Sequence, residues 1–106
     1  MHAEIDVAEL ARLRAAGEVA LVDVRRPDEY EEGHVSGAQL IPLDELPDRV
    51  AELPGVTPLY LICRSGSRSA VAADFLAEQQ IEAVNVAGGT LAWMREGNDV
   101  VTGSNP

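Results

Sequence analysis

One segment of the chain, CRSGSRS at positions 63–69, combines residue types that could carry out nucleophilic chemistry. Its first residue, Cys63, is the only cysteine among 106 residues and directly follows an apolar run at positions 59–62. A lone cysteine after a strand is most often a buried small hydrophobe. The residues after this one are small, polar or cationic, and such a sequence is costly to bury without partners. The segment therefore indicates a reactive thiol.

The position of this segment, between a predicted strand and a predicted helix, explains its composition. In a short turn of this kind the backbone N–H groups point inward and form a nest for an anion, to which the helix dipole adds. Cysteines at helix N-termini beside cations have pKa values lowered from about 8.5 to roughly 3.5–7.5. We therefore expect the segment to hold Cys63 as a thiolate and to bind a second anion next to it. The anion-binding residues of this cysteine loop are Arg64, Ser65, Gly66, Ser67, Arg68 and Ser69.

The elements that must position the loop alternate between strands and helices. Apolar runs predict strands at 19–24, 39–41, 59–62 and 83–86, and a capping box of Asp6 and Glu9 predicts a helix that ends at Gly17. Further helices are predicted at 27–33, 43–53, 69–79 and 90–96, and Val100 and Val101 are predicted to pair briefly. The stretch 43–53 contains Pro47, which is tolerated in a first turn, so its helix proper is expected to begin near Leu46. This alternation predicts an α/β fold, an open parallel sheet of four to five strands with helices on both faces. We expect one domain, residues 1–103, with a disordered tail at 104–106.

Composition and charge narrow the classes of function. Hydrophobic residues make up 46% and charged residues 25%, which is typical of a soluble globular domain. The net charge of −10 argues against a nucleic-acid-binding surface, and the absence of lysine excludes Schiff-base chemistry. No apolar run approaches the length of a membrane span, and the N-terminus lacks the pattern of a signal peptide. With a single cysteine, no internal disulfide can form, so we expect a cytoplasmic protein.

Four segments, in order over about ninety residues, resemble the rhodanese domain family. They are LVDVR at 21–25, EY at 29–30 with GHVSGA at 33–38 and LIP at 40–42, the cysteine loop at 63–69, and VAGG at 86–89 with Trp93 and Gly97. In this family the cysteine thiolate attacks the outer sulfur of a donor such as thiosulfate, becomes a persulfide, and passes the sulfur to cyanide, a thiol or a carrier protein. The resemblance therefore implies a sulfurtransferase with Cys63 as the catalytic residue. It implies a small anionic sulfur donor, a thiol or protein acceptor, and neither a metal nor an organic cofactor.

Supporting roles are predicted for four further residues of these segments. Asp23 and Arg25, at the end of a buried strand, are predicted to form a structural ion pair, with Glu29 as a further partner of Arg25. His34 is predicted to make a structural hydrogen bond, because a thiolate already stabilised by the loop needs no general base. Arg68 is expected to brace the loop against Asp23 or Glu29.

The sequence departs from the family pattern at two places. Gln80 stands where the family has a glycine helix cap, so we expect it to adopt the left-handed conformation at some cost. Asn98 and Asp99 replace an apolar residue and proline. Neither departure touches the cysteine loop.

Two alternatives to a sulfurtransferase stay open. Some phosphatases resemble rhodaneses but carry an arginine six residues after the cysteine, whereas Arg68 comes five residues after Cys63. By that resemblance, the shorter loop fits one sulfur atom better than a phosphate. A non-catalytic binding or regulatory module is the other alternative, although such modules typically lack the cysteine or the loop arginine. A thioredoxin-like redox role is disfavoured because no second cysteine is present to resolve an oxidised Cys63.

Overall fold

Five parallel strands form the central sheet of the computed structural model, which describes residues 2–106. The strands lie in the order β1-β5-β4-β2-β3. Because all five run in the same direction, their carboxyl ends share one edge of the sheet, where ligands of such folds bind. Their bounds are β1 Ala3–Ile5, β2 Leu21–Asp23, β3 Gln39–Leu40, β4 Leu59–Ile62 and β5 Ala83–Val86.

Within residues 2–106 there are four α-helices and two 3-10 helices, of which five lie between strands and α4 follows β5. The α-helices are α1 Val7–Ala16, α2 Pro27–Glu32, α3 Ser67–Glu78 and α4 Gly89–Arg95, and the 3-10 helices are Leu43–Asp48 and Val50–Glu52. The first helix begins where predicted, because the Asp6 carboxylate accepts a hydrogen bond from the Glu9 N–H at 2.9 Å. The capping box is only half formed, since the Glu9 side chain pairs with Arg12 instead of turning back to the cap.

Both faces of the sheet are covered by apolar side chains. On one face α3 packs through Ala72, Ala73 and Leu76, together with Leu46 of the first 3-10 helix. On the other face, helices α1, α2 and α4 contribute the buried residues Val7, Leu10, Tyr30 and Trp93. This two-sided burial explains why β2 and β4 read as nearly continuous apolar runs. The predicted α/β class with helices on both faces is confirmed.

The structure corrects three details of the predicted elements. The helix expected at 43–53 is two short 3-10 helices, because Pro47 has no N–H to donate and cannot continue an α-helical ladder. The strand expected at 19–24 is limited to Leu21–Asp23. β1 was not predicted, since a three-residue edge strand with two exposed residues and one half-buried residue, Ile5, carries little apolar pattern.

Other details of the chain agree with the sequence-based expectations. Gln80 takes a φ of 63°, as expected from the missing glycine cap. Val101 pairs with His34 in an antiparallel bridge. None of the helices within residues 2–106 has the length and apolar character that crossing a membrane requires. The domain limits of 1–103 and the disordered tail stay predictions.

Candidate active site

The backbone of Cys63 is clamped between β4 and the start of α4. The Cys63 carbonyl accepts hydrogen bonds from the Thr90 N–H at 2.8 Å and the Thr90 hydroxyl at 3.0 Å, and the Arg64 carbonyl accepts from the Leu91 N–H at 3.0 Å. This contact explains Gly89, where a Cβ atom would lie 2.5 Å from each of the two carbonyl oxygens. The GlyGly pair of the VAGG segment thus fixes the start of the cysteine loop.

Hydrogen-bond donors of the loop surround the sulfur of Cys63, which is fully buried. The Gly66 N–H donates to Sγ at 3.1 Å, and the Ser69 hydroxyl lies 3.2 Å from Sγ. Gly66 takes a φ of +106°, a conformation that L side chains rarely adopt, and so turns its N–H toward the sulfur. Burial raises the pKa of the Cys63 thiol, but the Ser69 hydroxyl and the N–H groups of Ser69, Gly66 and Ser65 outweigh it and lower the pKa overall. The loop therefore favours a thiolate.

Arg68 closes the loop through a salt bridge to α2. Its Nη1 and Nη2 donate to the two carboxylate oxygens of Glu29 at 2.6 and 2.8 Å. This pairing lowers the pKa of Glu29 to about 2 and raises that of Arg68. Of the two acidic partners expected for Arg68, the structure selects Glu29.

Asp23 and Arg25 form a buried bidentate ion pair at the end of β2. Arg25 Nε and Nη2 donate to the Asp23 carboxylate at 2.9 and 2.7 Å. The same guanidinium donates to the carbonyls of Gly33 at 2.9 Å and Glu29 at 3.3 Å. The expected contact between Arg25 and Glu29 is therefore made to the Glu29 backbone, because the Glu29 carboxylate is bound by Arg68. The pair fastens α2 to the sheet, so Glu29 is held in place for Arg68.

His34 is buried away from the thiol and holds two backbone segments. Its Nδ1 lies 2.7 Å from the Tyr30 carbonyl and its Nε2 lies 2.8 Å from the Asn105 carbonyl. The imidazole also stacks on the Tyr30 ring with centroids 3.5 Å apart. Both ring nitrogens thus face backbone oxygens, which gives His34 a contact with the C-terminal tail rather than with the cysteine loop.

A cleft of about 530 Å³ lies beside the loop, between α2 and α4. Arg64, Ser65 and Ser67 are the exposed residues of the loop, and Arg64 lines this cleft. Within residues 2–106, Arg64 makes no ion pair, whereas the cleft residues Arg25 and Arg26 are paired with carboxylates. An anion in the cleft would therefore meet a free guanidinium. The lining residues are Arg25, Arg26, Asp28, Glu29, Glu32, Gly33, Arg64, Thr90, Leu91 and Met94.

Sequence reasoning missed Asn85, a residue of β5 that contacts the loop from the neighbouring strand. Its Oδ1 lies 2.6 Å from the Ser69 hydroxyl, and its Nδ2 donates to the Glu4 carboxylate at 2.8 Å and the Gly66 carbonyl at 3.2 Å. A polar residue in the otherwise apolar run AVNV was the available signal, because a buried strand carries a carboxamide only where that group has partners.

The arrangement has the properties of a nucleophilic site. It holds one thiol whose anionic form is favoured, and it places Arg64, which has no ion pair among residues 2–106, at the wall of a neighbouring cleft. Within residues 2–106, no group of three or more histidine, cysteine, aspartate or glutamate side chains is placed to hold a metal ion.

Comparison with known proteins gives consistent matches along the whole fold. A family model described as the rhodanese-like domain matches residues 6–96. A sulfurtransferase from Allochromatium vinosum is 38% identical over 100 residues, which cover 92% of this chain and 94% of that protein. The crystal structure of a rhodanese-related protein from Thermoplasma volcanium is similar with a TM-score of 0.87 at 33% identity, covering 94% of this chain and 98% of that chain.

A second type of relative is larger than this chain. An HTH-type transcriptional regulator of Mycobacterium tuberculosis is 56% identical over 57 residues, which cover 54% of this chain and 25% of the regulator. The chain thus matches about a quarter of that regulator's length.

Proposed function

Since the chain belongs to the rhodanese-like domain family, we propose that it is a sulfurtransferase that carries sulfane sulfur on Cys63. The donor is thiosulfate or a related anion, and the acceptor is cyanide, a thiol or a carrier protein. The observation that carries the proposal is the set of donors around Sγ, the Gly66 N–H at 3.1 Å and the Ser69 hydroxyl at 3.2 Å. Donors aimed at Sγ stabilise the negative charge of the Cys63 thiolate, which is the attacking group when sulfur is taken up and the leaving group when sulfur is passed on.

The proposed reaction has two displacement steps at sulfur. The Cys63 thiolate attacks the outer sulfur of thiosulfate, an S–S bond forms, and the bond to the sulfonyl sulfur breaks so that sulfite leaves with its electron pair. The acceptor then attacks the outer sulfur of the Cys63 persulfide, and the Cys63 thiolate leaves. Each step conserves electrons among the named reactants, so neither a metal nor an organic cofactor is required. Arg64, unpaired at the cleft wall, binds the anionic donor.

The pairing of Arg68 supports sulfur transfer over phosphate chemistry. A bidentate arginine binds two phosphate oxygens through a pair of its nitrogens, whereas the two terminal guanidinium nitrogens of Arg68 are already bound to Glu29. Releasing Arg68 would leave the Glu29 carboxylate, which is 15% exposed, with only the longer ion pair to Arg26 at 3.5 Å. In this proposal Arg68 shapes the loop and does not bind the substrate.

The match to the transcriptional regulator favours a second candidate function, that of a regulatory module. In such a module the loop would bind or store a sulfur atom without repeated transfer. The two functions differ in turnover, which makes them separable by experiment.

Intact-protein mass spectrometry after incubation with thiosulfate tests the proposal. The expected result is a gain of about 32 Da, the mass of one sulfur atom, which is reversed by cyanide with the release of thiocyanate. Reversal is essential, because oxidation to a sulfinic acid adds a similar mass but is not reversed by cyanide.

The control is Cys63→Ser, which should show neither the mass gain nor turnover, because Cys63 is the only thiol. Turnover in this variant would refute the mechanism. A wild-type protein that gains the sulfur but does not pass it to cyanide or to a thiol would favour the regulatory module. No gain of sulfur at all would refute both.

A further inference from the structure

The Ser69 hydroxyl lies between two groups that compete for its single hydrogen. Its oxygen is 3.2 Å from the Cys63 sulfur and 2.6 Å from Asn85 Oδ1. A hydroxyl can donate only one such bond, although its oxygen can accept others. Ser69 is fully buried and Asn85 is 1% exposed, so the direction of this hydrogen is decided inside the protein.

The orientation of the Asn85 carboxamide is fixed by its other contacts. Nδ2 faces the Glu4 carboxylate at 2.8 Å and the Gly66 carbonyl at 3.2 Å, and both of these groups only accept hydrogen bonds. The opposite orientation would place Oδ1 against two acceptors. Oδ1 therefore faces Ser69, whose hydroxyl is its one hydrogen-bond donor within residues 2–106.

Two arrangements of hydrogens follow, one for each charge state of the sulfur. When Cys63 is a thiol, its S–H donates to Ser69 Oγ and the Ser69 hydroxyl donates to Asn85 Oδ1. When the sulfur is an anion, the Ser69 hydroxyl turns to the sulfur, and Asn85 Oδ1 gives up its donor. The anion thus receives the Ser69 hydrogen bond only at the expense of the shorter one to Asn85.

We propose that Asn85 is a positioning residue that sets the direction of the Ser69 hydroxyl and thereby limits how strongly the loop binds a sulfur anion. A thiolate stabilised too strongly would attack the outer sulfur of the donor slowly, because the nucleophilicity of a thiolate falls as the pKa of its thiol falls. Asn85 acts through Ser69 and does not contact the sulfur. This inference rests on Cys63 being the reacting thiol of the proposed function.

The test is the pH dependence of iodoacetamide alkylation of Cys63, which reads the thiol without any sulfur donor and so can succeed or fail independently of sulfur transfer. Asn85→Leu removes the competing acceptor and should lower the pKa of Cys63 by about 0.5–1 unit, the size of one neutral hydrogen bond. Ser69→Ala removes the donor and should raise the pKa by about one unit. In the Ser69→Ala background, Asn85→Leu should change the midpoint by less than about 0.3 unit.

The double-mutant comparison separates the effect that Asn85 has through the Ser69 hydroxyl from the effects of nearby charges. Asn85→Leu is made once in the wild type and once in Ser69→Ala. The charged groups around the loop are the same in both cases, so their effects on the midpoint cancel. Asn98→Leu is the matched control, because it makes the same carboxamide-to-leucine change at a residue whose side chain donates to the Trp93 carbonyl and not to the cysteine loop. Its alkylation midpoint should equal that of the wild type. The charged groups are Glu4 on β1, Asp23 and Arg25 at the end of β2, Glu29 on α2, and Arg64 and Arg68 of the loop.

Two results would overturn the proposal: a raised midpoint in Asn85→Leu, or a shift of equal size in the Ser69→Ala background. Asn85→Ala serves the same comparison without the added apolar side chain. The unmodified chain provides a further measurement, since the Asn85 side-chain carbonyl should show an NMR chemical-shift change at the pH where Cys63 ionises. This change should be lost in Ser69→Ala, and its absence from the wild type would also refute the inference.

Discussion

The salt bridge between Glu29 and Arg68 should make the stability of the fold depend on pH in acid. The carboxylate is bound by two guanidinium nitrogens at 2.6 and 2.8 Å, and this lowers the pKa of Glu29 from 4.5 to about 2. A carboxyl group whose pKa is lower in the folded than in the unfolded protein stabilises the fold at pH values above its unfolded pKa. This stabilisation is lost as the pH falls through the folded pKa. The contribution should therefore be complete above about pH 5 and should disappear between about pH 4.5 and 2.

Glu29→Gln removes the charge and keeps the shape of the side chain. A shift of 2.5 pKa units sets a ceiling of about 3.4 kcal/mol, obtained from 4.5 and about 2 at 1.36 kcal/mol per unit. Because the Arg68 side chain is 32% exposed, solvent screening reduces this to about 1–2 kcal/mol. With an unfolding entropy of about 0.22 kcal/mol/K for a domain of this size, Tm at pH 7 should fall by about 4–9 °C.

Urea unfolding followed by circular dichroism at pH 7, 5, 4 and 3 provides the assay. The stability difference between the wild type and Glu29→Gln should be constant from pH 7 to 5 and should fall to about half or less by pH 3. Glu31→Gln is the control, since it makes the same change of charge on α2 at an exposed side chain that forms no ion pair within residues 2–106. A difference that is independent of pH, or that Glu31→Gln reproduces, would refute the reasoning.

Two further predictions concern the substrate cleft and the clamp on the loop. Arg64→Ala should raise KM for thiosulfate about 3- to 10-fold with little change in kcat. Arg95→Ala, which removes the same charge elsewhere, is the control. No rise in KM, or a rise equal to that in Arg95→Ala, would show that Arg64 does not bind the donor. Gly89→Ala should lower the free energy of unfolding by about 3 kcal/mol, because its Cβ would meet two carbonyl oxygens at 2.5 Å. Gly97→Ala, with a φ of +84° and nothing within 4 Å of its Cβ, should cost only about 1 kcal/mol in the same urea titration, and equal losses would contradict the clamp.

The sequence alone determined the α/β class and the place of the cysteine loop. Both follow from local patterns: apolar runs long enough for buried strands, helical segments between them, and a polar turn that begins at the only cysteine. A parallel sheet then brings the end of β4 to the ligand-binding edge, whatever the details of packing. The local pattern failed at 43–53, where Pro47 interrupts an apparently helical segment, and at β1, whose pairing depends on β5 rather than on its own residues.

Only the tertiary structure decided which side chains support the loop. Arg68 had two acidic candidates, and the choice of Glu29 follows from Arg25, which occupies the Asp23 carboxylate and fastens α2 beside the loop. Likewise Asn85 reaches Ser69 because β5 lies next to β4 in the sheet. These contacts join residues that are distant in the chain, so their partners are set by strand order, register and side-chain direction. None of these three is encoded in the spacing of a single segment.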